Sequence, residues 1–437
     1  MSRGSGAAAG RGGFPAITVG ALIGLVLGLA AGALIRSGAD PRLIAFASGV
    51  GGAGTLWTNA LRALVLPLVI TNLVVAIARM HDARTVGRMG GLAVLIFAAL
   101  LAAGAVFTLL AAPPMLARFS PSAAMMEALH AAPRAASEAA QGAAPANWWT
   151  GFIPVNLARA AADDDILAVV LFTVLFAVAM TRIGAGPRHT LLAFFEAAFE
   201  AVLVMLKWVL RLSPAGVFAL ALDLALHTGV ASAGVFGYWV AMVSALMLAF
   251  TLLLYPLTAL TGRVSMRAFA RAALGAQTVA LGTRSSLAAL PALLEDAEHR
   301  LGLPSEVAGF AIPLAVSTFK VNRTLSSVAK LMFLAKLYGI HPDAAHLATF
   351  SLMVGILSFA TPGIPSAGTL ASMPAYLAAG IPIEGVVLLN AVDAIPDIFK
   401  TVLNVTSDLS AAAILNRLLG NPAPRAVTAR AAEAPAG

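Results

Sequence analysis

The ionisable side chains that could do chemistry in this chain cluster in its last third, inside segments that are otherwise apolar. Arg284 lies among serines, and Lys320 and Arg323 lie in the middle of an apolar segment. An ionisable group at the centre of a membrane costs roughly 2.5–3.5 kcal/mol on insertion scales, so such residues indicate a functional site. The remaining charged members are Asp393, Asp397, Lys400 and Asp408, with Thr401 and Asn404 beside them.

The spacing of this C-terminal group predicts that its charges share one face of a helix. Asp393, Asp397 and Lys400 are spaced i, i+4 and i+7, which places them on the same side. Asp408 returns to roughly that side. Two interpretations stay open: these acids and bases neutralise one another between helices, or they bind a charged solute. The second is favoured, because buried ion pairs rarely stabilise a protein more than apolar packing would.

The composition indicates that membrane helices position these residues. Of 437 residues, 60% are hydrophobic and 11% are charged, whereas soluble proteins carry about 25% charged residues. The 28 basic residues are scattered along the chain, so the net charge of +8 does not predict a nucleic-acid partner. There is no cysteine for a disulfide or a thiolate metal site. We expect an all-α polytopic protein in a lipid bilayer.

Eight apolar segments are long enough to cross a bilayer, for which about 20 residues are needed. Two further segments, 268–294 and 347–378, are interrupted by Ser, Gly and Pro and are predicted to be re-entrant helical hairpins. The distribution of arginine between the loops places both termini in the cytoplasm. The predicted crossings are 14–35, 52–78, 90–112, 150–181, 191–226, 234–261, 305–338 and 383–416.

Two patterns predict how these elements are used. The first crossing carries Gly20, Gly24, Gly28 and Gly32, a stripe that lets a second helix approach closely. The two interrupted hairpins, each followed by a crossing with polar groups, are typical of inverted repeats that hold a binding site near the membrane midplane. Their exposed backbone is tolerated only where a cavity or ligand satisfies it. These patterns favour a transporter.

A series of motifs runs along the chain from about Arg62 to Arg417. They are Leu64-Val-Leu-Pro-Leu-Val-Ile-Thr-Asn-Leu-Val-Val75, Ile153-Pro-Val-Asn156 followed by Asp165-Ile-Leu-Ala-Val-Val-Leu-Phe172, Ser213-Pro-Ala-Gly-Val-Phe-Ala-Leu220, the hairpin tips Thr283-Arg-Ser-Ser286 and Ser358-Phe-Ala-Thr-Pro-Gly-Ile-Pro-Ser366, and Asp393-Ala-Ile-Pro-Asp397 through Asn404-Val-Thr-Ser-Asp408. In these motifs and in their order the chain resembles the dicarboxylate/amino acid:cation symporters, the glutamate-transporter family.

The resemblance implies a homotrimer with elevator-type transport. A scaffold, mainly 14–80 and 150–226, would hold a transport domain, mainly 85–112 and 234–416, that slides across the membrane. The transporter domain as a whole would span 14–420, after a cytoplasmic N-terminal segment, 1–13. The Ala/Pro/Arg-rich composition of 421–437 predicts a disordered cytoplasmic tail.

The resemblance also implies roles for individual residues. Ser285 and Ser286, with Asn404, would hold the α-carboxylate of the substrate, and Asp397 would hold its α-amino group. Lys400, next to Thr401, stands where relatives with acidic substrates carry the arginine for the distal carboxylate. In the second hairpin Ile364 and Gly368 would close over the ligand. Asp408 would be the carboxylate at one sodium site.

This sequence departs from the family's sodium-site motif. Alignment on Pro313-Leu314 and Leu337-Tyr-Gly-Ile340 places Phe319 and Val321 where the family carries an asparagine and an aspartate, and Arg323 where it carries a threonine. A local shift that aligns Asn322-Arg-Thr324 instead needs an insertion or deletion inside a crossing. In the third crossing the family's oxygen-bearing residues fall on Phe97, Leu100 and Leu101. No metal is therefore expected.

At the aligned positions the sequence lacks the oxygen-bearing side chains of the family and carries two basic residues instead. This leads to the hypothesis that Lys320 or Arg323 replaces sodium as a permanent counter-charge for buried carboxylates. Arg323 and Lys400, with Arg284, favour a small anionic substrate, either an acidic amino acid such as aspartate or glutamate or a C4-dicarboxylate. The driving ion stays open. Protons could bind at Asp393, Asp397 or Asp408, and exchange is equally permitted.

Other functions stay open too. They are a passive anion pathway or exchanger, and a transport-inactive relative kept as a sensor or scaffold. An enzyme is not expected, because the sequence has no His-Glu-x-x-His and no P-loop, and Ser366 lacks the Gly-x-Ser-x-Gly elbow. No cofactor is expected. The abundance of Ala and Arg predicts a bacterial cell inner membrane.

Overall fold

The computed structural model describes residues 13–38, 40–84, 88–120, 154–162, 166–228, 231–359 and 367–421. Within these ranges all regular structure is helical, as expected for apolar segments whose backbone groups must be satisfied without water. The helices of the first half are α1 Gly13–Gly38, α2 Pro41–Arg84, α3 Arg88–Ala117, α4 Leu157–Ala162, α5 Ile166–Met180, α6 Ala185–Arg211, α7 Ser213–Thr228 and α8 Ala231–Gly262.

The second half contains shorter helices separated by tight connections. A single π-helical turn, Asp296–Arg300, follows α10. The helices are α9 Met266–Thr283, α10 Ser286–Glu295, α11 Ser305–Thr318, α12 Asn322–Tyr338, α13 Ala344–Phe359, α14 Ala367–Ala378, α15 Ile383–Ala391 and α16 Pro396–Leu418.

Each of the eight predicted crossings corresponds to one helix or to two consecutive helices. The first, second, third and sixth are α1, α2, α3 and α8, and the other four are the pairs α4–α5, α6–α7, α11–α12 and α15–α16. Within the described ranges, six helices are each long and apolar enough to cross a membrane alone. The fold is that of an all-α polytopic membrane protein of the elevator-transporter type, as predicted.

The glycine stripe of α1 packs against α7, which confirms its predicted role. A Cβ atom added at Gly24 would lie 2.3 Å from the carbonyl oxygen of Pro214, and one at Gly28 would lie 2.5 Å from that of Phe218. Distances this short are not possible for a side chain. Glycine is therefore needed here because the backbones of the two helices touch.

Helices α9 and α10 form the first predicted hairpin, and α13 and α14 are the arms of the second. The tip of the second hairpin lies outside the described residues. Ahead of α13, the Asp343 carboxylate accepts the backbone N–H of His346 at 2.8 Å, the usual geometry of a helix N-cap. This hydrogen bond and, to a smaller extent, the one with the His346 ring hold the pKa of the Asp343 carboxyl below its ordinary value.

Two of the crossings are broken in the middle. The seventh is interrupted at residues 319–321, between α11 and α12, and the eighth at 392–395, between α15 and α16. The second break contains Asp393, so the prediction that Asp393 shares a helix face with Asp397 and Lys400 is wrong. Pro396 is the reason, because a proline fits the first position of a new helix and disfavours helical backbone in the residue before it.

The described residues fall into two compact units. One contains those within Met1–Ala78, Ala111–Val243 and Ser327–Ile395, and the other those within Arg79–Leu110, Ser244–Ser326 and Pro396–Gly437. The second unit holds the first hairpin, the break in the seventh crossing and the whole of α16. Most of the residues singled out from the sequence thus belong to one unit.

Candidate functional site

The tip of the first hairpin is a two-residue turn that presents the N-terminus of α10. Arg284 ends α9 in a left-handed conformation, φ +51°, with its N–H donated to the carbonyl of Ala280 at 2.8 Å. Ser285 begins α10, and its hydroxyl accepts the N–H of Ala288 at 3.3 Å. Ser286 follows and is buried. A helix N-terminus favours a negatively charged group.

Thr401, Asn404 and Asp408 lie on one face of α16, spaced i, i+3 and i+7, and all three are buried. The side-chain oxygen of Asn404 accepts the backbone N–H of Asn322 at 3.3 Å. The first residue of α12 is therefore tied to the middle of α16. Lys400, 7% exposed, lies one turn before Asn404.

Lys320 lies in the break between α11 and α12, and its ammonium caps α11. The Nζ atom donates a hydrogen bond to the carbonyl oxygen of Val316 at 2.6 Å. Val316 belongs to the last turn of α11, where the carbonyls have no partners within the helix. The negative end of the helix dipole also lies there. This side chain thus occupies a position that attracts a cation.

Asp408 is completely buried. In the described part of the chain, neither of its carboxylate oxygens accepts a hydrogen bond. The break that holds Lys320 lies near this carboxylate, because the adjacent Asn322 is hydrogen-bonded to Asn404, one turn before Asp408. Arg323 follows in the first turn of α12 and is half-buried. The arrangement is a buried carboxylate with a nearby fixed cation.

Apolar side chains fill the positions where the sequence analysis expects the family's sodium-site motif. The rings of Phe97 and Phe319 stack, with centroids 4.7 Å apart. Leu100, Leu101 and Val321 are buried as well. Their side chains contain no oxygen that could bind a cation.

Hydroxyl and amide groups join α16 to its neighbours on other faces, and the sequence analysis missed them. The Gln277 amide donates to the Tyr255 hydroxyl at 2.9 Å and to the Thr406 hydroxyl at 2.8 Å. The hydroxyls of Thr258 and Ser410 lie 2.5 Å apart. Recurrent Ser and Thr in an apolar crossing were the available signal, since such residues hydrogen-bond between membrane helices.

The structure does not bring all the predicted residues together. Arg284, Ser285, Ser286, Lys320 and Arg323 lie in the same unit as Asp397 and the rest of α16. Asp393 belongs to the other unit, as does Gly368 in α14. Ile364 lies outside the described residues.

Lys330 is a buried ionisable residue that the sequence analysis also missed. It lies in α12, is 3% exposed, and donates a hydrogen bond to the side-chain oxygen of Asn390. Its Nζ lies 5.7 Å from the centre of the Trp239 ring, within the range of a cation–π contact. The criterion that singled out Lys320 and Arg323, a charge inside a crossing, applies equally to Lys330.

A profile of the sodium:dicarboxylate symporter family matches residues 15–418. The chain belongs to this family. Its members are transporters, so this symporter-family protein is a secondary transporter that crosses the membrane several times.

Curated relatives of this symporter-family protein match it over nearly the whole chain. The proton/sodium-glutamate symport protein of Bacillus subtilis (strain 168) is 26% identical over 412 residues, which cover 92% of each chain. The proton/glutamate-aspartate symporter of Escherichia coli (strain K12) is 26% identical, covering 90% of this chain and 91% of its own. The neutral amino acid transporter B(0) of Oryctolagus cuniculus is 26% identical, covering 92% and 78%.

Proposed function

We propose that this protein is a sodium-independent, proton-driven secondary transporter of acidic amino acids, aspartate or glutamate. The single observation that carries the proposal is the ammonium of Lys320, which donates a hydrogen bond to the carbonyl of Val316 in the last turn of α11. In our proposal this permanent cation does the work that sodium does in other members of the family.

The substrate class follows from the groups gathered in the second unit. The serine-lined N-terminus of α10 and the amide of Asn404 suit an α-carboxylate, and Asp397 suits an α-amino group. Lys400, buried one turn before Asn404, suits a distal carboxylate. Two of the relatives are named for glutamate, one of them for aspartate as well.

Sodium independence follows from what occupies the aligned positions. A sodium ion needs several oxygen ligands, and the stacked rings of Phe97 and Phe319 offer none. The C-terminal carbonyls of a half-helix attract a cation in transporters of this kind. Here the Lys320 ammonium already donates to one of them. A second cation at the same place would be repelled.

The assembly in the cell belongs to the same proposal. We propose a homotrimer in the inner membrane of a bacterium, with both termini in the cytoplasm. Residues 14–80 and 150–226 would be its main scaffold, and residues 85–112 and 234–416 its main moving part.

Equilibrium binding tests this proposed function. Labelled L-aspartate and L-glutamate are titrated onto the purified protein in sodium chloride and in choline chloride of equal strength. We expect saturable binding with the same Kd in both salts, within about twofold. A Kd that falls tenfold or more when sodium is added contradicts the role given to Lys320, and failure of both amino acids to bind contradicts the substrate class.

A further inference from the structure

We propose that three arginines of the second unit form a surface that binds the phosphate group of an anionic phospholipid. They are Arg88 at the start of α3, Arg263 in the turn between α8 and α9, and Arg417 in the last turn of α16. They are called the rim arginines below. This surface is separate from the proposed function and does not depend on which solute the protein carries.

Hydrogen bonds bring the rim arginines to one place. Arg417 donates from Nη1 to the carbonyl oxygen of Thr261 at 2.7 Å, two residues before Arg263 in the chain. Arg88 donates from Nη2 to the carbonyl oxygen of Leu418 at 3.4 Å, and Leu418 follows Arg417 directly. The start of α3 and the ends of α8 and α16 therefore meet, and each supplies one arginine.

The same hydrogen bonds fix two of the side chains in place and leave most of their donors unused. A guanidinium carries five N–H groups, and in the described part of the chain Arg88 and Arg417 each bond through one terminal nitrogen. Their acceptors are carbonyls at the ends of helices, where partners within the helix are lacking. The remaining N–H groups suit phosphate oxygens, which a guanidinium binds in pairs.

Arg263 has no such capping role. Its side chain is exposed, and it makes no hydrogen bond or ion pair with the residues that the structure describes. Its backbone φ is +53°, a conformation that glycine adopts at lower cost. The fold thus gains nothing from a guanidinium at this position, and a partner outside the chain accounts for it.

The positive charge of the rim arginines is not balanced by the described side chains. None of the ion pairs between described residues includes a rim arginine. Arg300, in the same unit, differs in this respect because its Nε lies 2.8 Å from the carboxylate of Asp296. Arg267, exposed in the first turn of α9, adds a further positive charge close to Arg263 in the chain. An anion is the partner that this surface attracts.

Exposed apolar side chains beside the rim arginines favour a lipid over a free phosphate ion. Leu260 is 75% exposed, Met266 50% and Leu418 43%, and each lies within three residues of Arg263 or Arg417. Basic groups next to exposed apolar ones suit the border of a bilayer, where acyl chains end and headgroups begin. On the orientation predicted from the loop arginines, this border belongs to the cytoplasmic leaflet.

The lipid surface lies far from the residues assigned to solute binding. Helix α9, 18 residues long, separates Arg263 from Arg284 at the tip of the first hairpin, and a helix of that length spans about 27 Å. Loss of Arg263 is therefore expected to leave the solute site intact. Binding of lipid and binding of L-aspartate can be measured independently.

Native mass spectrometry of the purified full-length protein tests this proposal. Phosphatidylglycerol and phosphatidylcholine with the same acyl chains are titrated onto the protein in detergent, and bound lipids are counted. We expect phosphatidylglycerol to bind the wild type at least about tenfold more tightly than phosphatidylcholine. Arg263→Gly should weaken phosphatidylglycerol binding about fivefold and leave phosphatidylcholine unchanged. This variant relieves backbone strain, so misfolding does not imitate the expected loss.

Arg211→Gln is the matched control, because it removes an exposed arginine from the last turn of α6, in the other unit. It should bind phosphatidylglycerol as the wild type does, and an equal loss in this variant overturns the proposed surface. Equal binding of the two lipids by the wild type, or unchanged phosphatidylglycerol binding by Arg263→Gly, also overturns it. Displacement of phosphatidylglycerol by inorganic phosphate at equal ionic strength would make the free ion the ligand and contradict a lipid site.

Discussion

The aromatic rings of Phe97 and Phe319 lie 4.7 Å apart and within 11° of parallel. One ring comes from α3 and the other from the break in the seventh crossing. Sequence alignment assigned both residues to the same lost sodium site, although they are far apart in the chain. Their contact supports that alignment over the shift that would place Asn322-Arg-Thr324 on the family's motif.

The proposed role of Lys320 as the counter-charge of Asp408 predicts a specific non-additivity in stability. Lys320→Met leaves a buried carboxylate without its counter-charge, so we expect it to lower the free energy of unfolding by about 3 kcal/mol. Lys320→Met combined with Asp408→Asn should recover at least about 1 kcal/mol of that loss. Unfolding in detergent titrated with sodium dodecyl sulfate measures both values. Strictly additive effects of the two substitutions would show that the residues do not interact.

Replacement of Lys400 by arginine is expected to strengthen binding of the distal carboxylate of the substrate. An arginine places two parallel N–H groups on a carboxylate, whereas a lysine acts as a single point charge. Lys400→Arg should therefore lower the Kd for L-glutamate by about tenfold, which corresponds to about 1.4 kcal/mol. L-Alanine, which lacks the distal carboxylate, is the control ligand and should gain nothing. An equal gain for both ligands would place Lys400 elsewhere than at the distal carboxylate.

Replacement of Arg284 by glycine is expected to raise the stability of the protein and to weaken binding of the substrate. Its positive φ of +51° costs an L-residue roughly 1–2 kcal/mol, which glycine avoids. Arg284→Gly should therefore raise the melting temperature while weakening L-aspartate binding several-fold, because the guanidinium at the hairpin tip is lost. Arg263 has a similar φ of +53° and is the matched control. Arg263→Gly should also raise the melting temperature but leave the Kd unchanged, and equal Kd values for the two variants would remove Arg284 from the binding site.

The contact between α1 and α7 predicts that the cost of replacing a glycine with leucine depends strongly on which glycine is replaced. Gly28→Leu forces a side chain against the backbone of Phe218, where a Cβ would already lie 2.5 Å from the carbonyl oxygen. Such overpacking costs at least about 1–3 kcal/mol. Gly52→Leu is the control, because no atom lies within 4 Å of a Cβ at that position. The two variants should differ clearly in melting temperature, and similar values would show that α1 and α7 do not pack as described.

Local sequence signals predicted the elements but not all of their breaks. The Thr283-Arg-Ser-Ser286 tip was predictable because Ser residues between apolar runs favour a cap and a turn. The break at Phe319–Val321 was not, because no glycine or proline lies in it. The position of the Lys320 ammonium depends on the end of α11, which tertiary packing determines. Pro396 indicated the break at Asp393, but the helical spacing of the charged residues favoured a continuous helix instead.

Transport itself tests the central claim most directly. Uptake of labelled L-aspartate is measured in proteoliposomes that contain the purified protein, with an inward sodium gradient, an inward proton gradient, or neither. We predict saturable uptake that a proton gradient accelerates and a sodium gradient leaves unchanged. Uptake that requires sodium would contradict the account, because Lys320 could then not be the cation that replaces it.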